Sequence, residues 1–209
     1  ASGVVSIATG YSSEASGFNS TAMGNNAKTF GSISTAIGNH VTARDFGSLV
    51  IGQFNSSGSS VTNSATVFST SNTAFVIGNG TASNSKSDAF KVMFNGDATV
   101  SNDLTVSGDV NISSDARLKS NIVSLGSTLS KLLLIDGKSY TMNKSGDEKI
   151  GILAQEVQEV FPELVSKDEN EMLSVNYQGL VPVLINAIKE QEDKISRLEK
   201  LVEQLISEK

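Results

Sequence analysis

The stretch that decides the fold of the first part reads YSSEASGFNSTAMG (residues 11–24), NNAKTFGSISTAIG (25–38) and NHVTARDFGSLVIG (39–52). Each block of fourteen residues ends in small or apolar residues followed by glycine. Glycine also follows a finer spacing of seven, which Asp45 interrupts and Gly52 resumes. A fixed period of this kind is typical of a protein that stacks one structural unit many times.

Composition excludes a coiled coil for these blocks, although a spacing of seven invites one. Glycine at every seventh position would cost a helix about 1 kcal/mol each time. Ser, Thr and Asn fill most other positions, and their side chains compete for backbone hydrogen bonds. We therefore expect a β-solenoid whose core is Ala22 with Met23 and Ala36 with Ile37, and whose corners are turned by glycine at positive φ. A flexible Gly/Ser linker is the alternative, and the strict phase of the apolar residues argues against it.

Such a coil offers very little core to a single chain. Two buried side chains per coil contribute about 2 kcal/mol each, which hardly offsets an ordering entropy of about 1–2 kcal/mol per residue. Oligomerisation is therefore expected. Over about residues 1–55 the blocks resemble the head repeats of trimeric autotransporter adhesins. That resemblance implies a trimeric left-handed β-roll exposed on a surface, with a host-surface receptor or glycan as its partner.

Residues 56–114 keep the β composition and lose the strict period. Residues 73–78 (TAFVIG) predict a buried strand, and residues 89–100, with Asn95-Gly96 at their centre, predict a hairpin. Apolar and polar residues alternate over 104–112 (LTVSGDVNI), which predicts a further strand. We interpret residues 56–114 as a β-stalk similar to those of phage tail fibres.

The composition changes near residue 114. Residues 1–114 contain 10 of the 38 charged residues (4 basic, 6 acidic) and 13 of the 18 glycines, whereas residues 115–209 contain the other 28 charges (12 basic, 16 acidic) and both prolines. Both parts are acidic, which argues against a nucleic-acid-binding face. No run of 18 apolar residues occurs, so we expect no membrane insertion. Without Cys, no disulfide or thiolate metal site is expected.

Residues 115–209 predict an α+β domain that ends in a long helix. The expected elements, in chain order, are an apolar helical face within 115–134, a hairpin over 139–153, a helix over 154–160 that stops before Pro162, and a strand over 172–177. The chain as a whole is thus predicted to be multidomain, with an all-β first part and an α+β domain after it.

Residues 178–207 predict a coiled-coil helix with Pro182 in its first turn. The heptad positions are a for Val181, Ile188, Ile195 and Val202, and d for Leu184, Gln191, Leu198 and Leu205. An amphipathic helix packed against its own domain is the alternative. β-branched residues at a with Leu at d favour two strands in an isolated peptide. The β-part favours three, and the sequence leaves this conflict open.

Several short motifs, in order, carry a second resemblance. They are SDARLKSNI (114–122), GILAQEV (151–157), FPELV (161–165), LSVNY (173–177), GLVP (179–182) and LINAIKE (184–190). Over residues 114–209 they resemble the intramolecular chaperone domain of phage endosialidases and tail fibres. The resemblance implies a homotrimer that drives assembly of the preceding β-fibre on a virion, with a bacterial cell surface as the alternative location.

The same resemblance implies a self-cleaving serine peptidase that acts once. The family's Ser and the Lys five residues later correspond to Ser114 and Lys119, and the implied cut falls in the Ser114–Asp115 bond. A Lys accepts a proton from Ser only when it is neutral, and burial or the nearby cation of Arg117 would lower its pKa. No cofactor or metal is expected. The alternative function is a structural trimerisation end of a receptor-binding fibre or adhesin, which does not cut.

The carbonyl that the serine attacks stays open at this stage. Attack of Ser114 on its own carbonyl needs a strained four-membered ring. Attack on the Ser113 carbonyl closes a five-membered ring and would leave Ser114 on the released domain. A hydroxyl from a neighbouring chain is the third route. His40, the sole histidine, has no acidic or Cys partner at ligand spacing, so we expect it in a turn or on the surface.

Overall fold

The computed structural model describes residues 1–168 and 171–208. They divide into two compact units, Ala1–Ile112 and Ser113–Lys209. The predicted boundaries between residues 55 and 56 and between residues 114 and 115 stay predictions. Within the described ranges, no helix combines the length and the apolar character that crossing a bilayer requires.

The first unit is a roll of short strands. Its strands are β1 (Ile7–Thr9), β2 (Glu14–Ala15), β3 (Thr21–Asn25), β4 (Lys28–Thr29), β5 (Thr35–Asn39), β6 (Thr42–Ala43), β7 (Leu49–Gln53), β8 (Thr73–Asn79), β9 (Asp88–Met93) and β10 (Ala98–Val100). Strands β1, β3, β5, β7 and β8 pair in parallel, and β9 and β10 extend the same sheet with antiparallel pairing. Strands β2, β4 and β6 form a second, parallel sheet.

The period of fourteen residues is one coil of the roll. Thr21 pairs with Thr35, and Thr35 pairs with Leu49, so equivalent positions of successive blocks stack on one another. Gly38 has a φ of 144°, and a side chain on it would run into the carbonyl oxygen of Gly52 in the next coil. The predicted solenoid is confirmed, because the glycine spacing follows from this close stacking of backbone on backbone.

The sequence led us to expect glycine at every corner, but other residues turn several of them. The residues other than glycine at positive φ recur with the same spacing of fourteen: Ser12, Asn26, His40 and Phe54 at one corner, and Val5, Asn19 and Ile33 at another. Asn adopts this conformation at little cost. The remaining corner residues are held there because the coils before and after them adopt the same path.

The core of the roll is thinner than expected. Its fully buried apolar side chains are Ala15, Ala22, Ala27, Ala36, Val41, Ala43, Val50 and Val76. The expectation that Met23 and Ile37 fill the core was wrong, because these side chains are 41% and 42% exposed. Successive residues of a strand point to opposite faces, so the side chain next to a buried alanine must point outward.

Asp45 interrupts the glycine spacing because it anchors the chain that follows the last regular coil. Its side chain is fully buried. One carboxylate oxygen accepts a hydrogen bond from the backbone N–H of Thr62 (2.7 Å), and the other accepts one from Thr73 (2.9 Å). The carboxylate thereby ties residues 56–72 to the roll and leads the chain into β8.

The predictions for residues 56–114 are confirmed in part. The buried strand is β8, and the hairpin is β9 and β10, with Gly96 at a φ of 95° in the turn. The strand predicted over residues 104–112 was wrong for the single chain, which has no regular structure there. A strand needs a partner for its backbone N–H and C=O groups, and no described strand pairs with this segment.

The second unit combines short strands with helices. Its elements are α1 (Leu129–Leu132), β11 (Lys138–Thr141), β12 (Glu148–Gly151), α2 (Ala154–Val160), β13 (Val165–Lys167), β14 (Leu173–Val175) and α3 (Leu180–Ser207). The predicted hairpin, short helix and long helix are confirmed. The helical face expected between residues 115 and 134 shrinks to α1, because Asn121 (φ 52°) and Gly126 (φ 67°) break the helical path.

Helix α3 uses two different faces. Val183 and Ala187 are buried, and Val183 packs with Val157 and Phe161 in the core of the second unit. The apolar heptad side chains stay 44% to 64% exposed. The first turns of α3 therefore pack against the helix's own domain, as in the alternative interpretation, while the described residues leave the heptad seam uncovered.

Candidate functional site

Ser114 and Lys119 meet at the start of the second unit. The Nζ atom of Lys119 donates a hydrogen bond to the Oγ atom of Ser114 over 2.7 Å. Between them the backbone makes a single turn of 3-10 helix, Ala116–Leu118, closed by a hydrogen bond from the N–H of Lys119 to the carbonyl of Ala116 (3.1 Å). This turn carries the lysine back over the serine.

Asp115 and Arg117 hold that turn. Asp115 is the N-cap, since its Oδ1 atom accepts the backbone N–H of Arg117 (2.8 Å). The guanidinium of Arg117 also grips the carboxylate, with Nη2 lying 2.7 Å from Oδ2. The hydrogen bonds from the Arg117 side chain and backbone hold the pKa of Asp115 below its usual range. The structure thus brings Arg117 to Asp115, and no described contact joins its guanidinium to Lys119.

Both members of the serine–lysine pair are exposed in the single chain. In the hydrogen bond described, the Nζ atom of Lys119 donates and the hydroxyl of Ser114 accepts. A general base needs the reverse arrangement, in which a neutral amine accepts the hydroxyl proton. The geometry therefore brings the serine and the lysine together. Use of Lys119 as a base would also require a change that removes water from the lysine.

Helix α3 holds the chain segment that follows this site. The carboxylate of Glu190 accepts hydrogen bonds from the Ser127 hydroxyl (2.6 Å) and from the backbone N–H groups of Thr128 and Leu129. In addition, the Thr128 hydroxyl donates to the carbonyl of Val183 over 2.8 Å. Glu190 thus caps the N-terminal end of α1 from another helix, which fastens the segment after Lys119 to α3.

These hydrogen bonds lower the pKa of Glu190. The Ser127 hydroxyl has the largest effect, followed by the backbone N–H groups of Thr128 and Leu129, and the charge of Lys194 acts in the same direction. All of these favour the ionised carboxylate, which outweighs the opposing effect of partial burial.

The sequence prediction named Asp115 only as one side of the scissile bond and missed its capping role, and it missed the role of Glu190 altogether. The capping role could have been expected from residue type, because Asp is a frequent N-cap whose side chain accepts a backbone N–H group two or three residues later. Glu190 left no such signal. Its contacts lie more than 60 residues away along the chain, and on sequence alone it is one of many charged positions on an amphipathic helix.

Family comparisons confirm both predicted resemblances. Residues 114–166 match the family model described as chaperone of endosialidase. Residues 1–27 and 15–40 match two copies of the YadA head domain repeat. The first match begins at Ser114 and contains the whole turn up to Lys119.

Curated relatives are phage fibre proteins. The long tail fiber protein Gp37 of Escherichia phage AR1 is 34% identical, over 35% of this chain and 8% of the relative. The proteins of the same name from Enterobacteria phages K3 and T2 are 30% and 31% identical, each over 39% of this chain and 7% of the relative. The chain thus spans less than a tenth of the length of these relatives.

Proposed function

We propose that residues 115–209 are an intramolecular chaperone that trimerises a β-fibre and then releases itself by cutting the Ser114–Asp115 bond. The observation that carries this proposal is the 2.7 Å contact of Lys119 with Ser114, located at the first residue of the match to the endosialidase chaperone model. The likeness to tail fibre proteins supports a role in phage fibre assembly and a location on the virion.

Two apolar surfaces support a homotrimer. On the roll, Met23, Ile37, Ile51 and Ile77 are in register on adjacent strands and point away from the buried alanines and valines. On α3, the exposed heptad seam is an unpaired coiled-coil surface. Burial of both surfaces between copies of the chain supplies the core that a single thin coil lacks.

The proposed cut uses Ser114 as nucleophile and Lys119 as base. Neutral Lys119 takes the hydroxyl proton, and the serine oxygen bonds to the carbonyl carbon of the scissile peptide. The peptide C–N bond then breaks, the amine of Asp115 leaves with a proton, and water hydrolyses the resulting ester. A serine from a neighbouring chain avoids the four-membered ring that attack within one chain would require.

Intact-mass spectrometry of the purified trimer tests the cut. Wild type should give two fragments of nearly equal mass, separated between Ser114 and Asp115. Ser114→Ala and Lys119→Ala should stay whole and trimeric, whereas Ser113→Ala, a matched change one residue earlier, should cut normally. If only Ser113→Ala lost the cut, Ser113 would be identified as the nucleophile instead of Ser114.

A structural trimerisation end that does not cut is the second candidate. It is favoured by the exposure of Lys119 in the single chain, since a lysine that acts as a general base is usually buried beside its serine. A wild-type chain that forms trimers and keeps its full mass after prolonged incubation would establish this function and reject the first.

A further inference from the structure

Three of the four basic residues of the first unit line one pocket. Lysine and arginine occur in residues 1–112 at Lys28, Arg44, Lys86 and Lys91 only. The first three, together with His40, line an open pocket of about 250 Å³ on the roll. The first unit contains 4 basic and 6 acidic residues, so this pocket is a positive site on a unit whose net charge is negative.

The described residues provide no carboxylate that pairs with these three cations. Glu14 lies beside Lys28 on the neighbouring strand, but its Oε1 atom accepts a hydrogen bond from a serine hydroxyl (2.8 Å). Asp88 follows Lys86 by two residues, and its two oxygens accept backbone N–H groups of successive serines (2.9 and 2.8 Å). Both carboxylates thus bind serine groups, and no described ion pair occupies the three cations, which leaves them available to an external anion.

Aromatic rings hold the cationic side of the pocket in place. The guanidinium of Arg44 lies 3.9 Å from the centre of the Phe30 ring, and its Nε atom donates to the carbonyl of Ser59 (3.1 Å). The ring of His40 stacks on Phe54 with centres 4.7 Å apart. Groups fixed in this way lose little freedom when a ligand binds.

We infer that this pocket binds an acidic saccharide, one sugar unit that carries a carboxylate or sulfate group. Lys28, Arg44 and Lys86 would pair with the anionic group, as Lys and Arg do with carboxylates and similar oxyanions. The rim adds hydroxyl and amide groups from Asn26 and Thr42, which suit sugar hydroxyls. The volume is below that of a drug-sized site and fits one ring. The inference rests on the proposed surface exposure of the β-part and assigns its ligand class.

Binding by the trimer tests the site, and every binding sample carries Ser114→Ala so that the chain stays whole. The probes are a hyaluronan oligosaccharide for carboxylates, a heparin oligosaccharide for sulfates, a neutral dextran oligosaccharide and an oligoglutamate peptide, compared by calorimetry at fixed salt. At least one acidic saccharide should bind, and the neutral sugar should not. Lys28→Gln with Lys86→Gln should weaken binding at least tenfold. Lys91→Gln with Lys144→Gln changes the net charge equally and should leave the affinity within twofold.

Three results would overturn the inference. They are no binding of either acidic saccharide, equal weakening by the two double variants, and binding of the peptide as tight as that of the saccharides. Intact mass is measured on the same variants with Ser114 restored. The pocket variants should cut as wild type does. A failure of binding would therefore contradict the inference about the pocket, and a failure of cutting would contradict the proposed function.

Discussion

Asp115 and Arg117 hold the turn that places Lys119 against Ser114. The side chain of Asp115 is 44% exposed to water and that of Arg117 is 89% exposed. An exposed ion pair contributes little stability by itself, so the backbone hydrogen bonds of the turn matter as much as the charges. At the scale of single residues, the site is therefore prearranged rather than rigid. Under the proposed function, its activation would come from what surrounds it after assembly.

The first prediction concerns the role of Arg117. Arg117→Gln should slow the cut a few-fold, because Asp115 loses its guanidinium partner and the turn that positions Lys119 loosens. The pH profile of the cut should keep its midpoint if Arg117 acts only through Asp115. Rates measured by intact mass between pH 6 and 9 decide this. A shifted midpoint would instead show that Arg117 tunes the pKa of Lys119, as the sequence suggested.

The second prediction concerns acid stability through Glu190. Its pKa is lower in the folded unit than its ordinary value, so its hydrogen bonds stabilise the fold above about pH 4.3, the usual pKa of a glutamate. That contribution is lost as the pH falls further, through the folded pKa. Thermal unfolding followed from pH 7 to pH 3 should therefore show a smaller acid-induced loss in Glu190→Gln than in wild type.

Glu192→Gln is the matched control for this experiment. It removes the same charge from the same helix at an exposed position. It should reproduce the wild-type dependence on pH. An equal flattening in both variants would contradict the role assigned to Glu190.

At the scale of elements, the coils of the roll and helix α3 have regular backbones but leave many of their apolar side chains exposed. A coil of the roll buries mostly alanine and valine, and it presents isoleucine and methionine outward. Helix α3 buries two residues of its first turns and presents its heptad seam outward. Both elements leave apolar surface that the described residues of the single chain do not cover.

The third prediction concerns close stacking in the roll. Gly38→Ala should disrupt the coil, because the new methyl group would overlap the carbonyl oxygen of Gly52 and the backbone φ of 144° disfavours alanine. Forcing extra atoms into a packed site typically costs about 1–3 kcal/mol. Gly108→Ala, where nothing lies within 4 Å, should be neutral. Unfolding of the fibre followed by circular dichroism checks this, and equal stability of the two variants would contradict it.

At the scale of the whole molecule, the proposed function divides the work of assembly between the two units. Parallel pairing across chains is slow and exposed to register errors. A helical module that trimerises first would bring three β-parts together at high effective concentration. Removal of that module would leave a fibre whose persistence is set by its unfolding barrier. Under this proposal the charge-poor unit is part of the finished fibre, and the charged unit is the chaperone that assembles it.

The fourth prediction links the cut to assembly. Leu198→Asp introduces a charge into the exposed heptad seam of α3 and should yield monomers by light scattering, because burial of that charge would disfavour the coiled coil. The monomers should remain uncut. Gln204→Asp adds the same charge outside the a and d positions and should trimerise and cut like wild type. Efficient cutting in monomeric Leu198→Asp would reject assembly as the trigger.

Periodic features were readable without a structure. The glycine spacing predicted the roll, Asn95-Gly96 predicted the turn between β9 and β10, and Pro162 marked the end of α2. Each is a local rule in which one residue type is required by one backbone geometry. The Ser114 and Lys119 pair came from a family resemblance, and no periodicity would have indicated it.

The tertiary structure decided which residues those elements bury and which distant residues meet. The alternation of faces on β3 and β5 leaves Met23 and Ile37 outside, which a count of apolar residues cannot show. The capping of α1 by Glu190 and the convergence of the scattered basic residues in one pocket depend on contacts distant along the chain. The sequence determined the repeat and the positions of its glycines and turns, because these depend on residues close together along the chain. Burial and the approach of charges are properties of the packed chain, and only the tertiary structure could decide them.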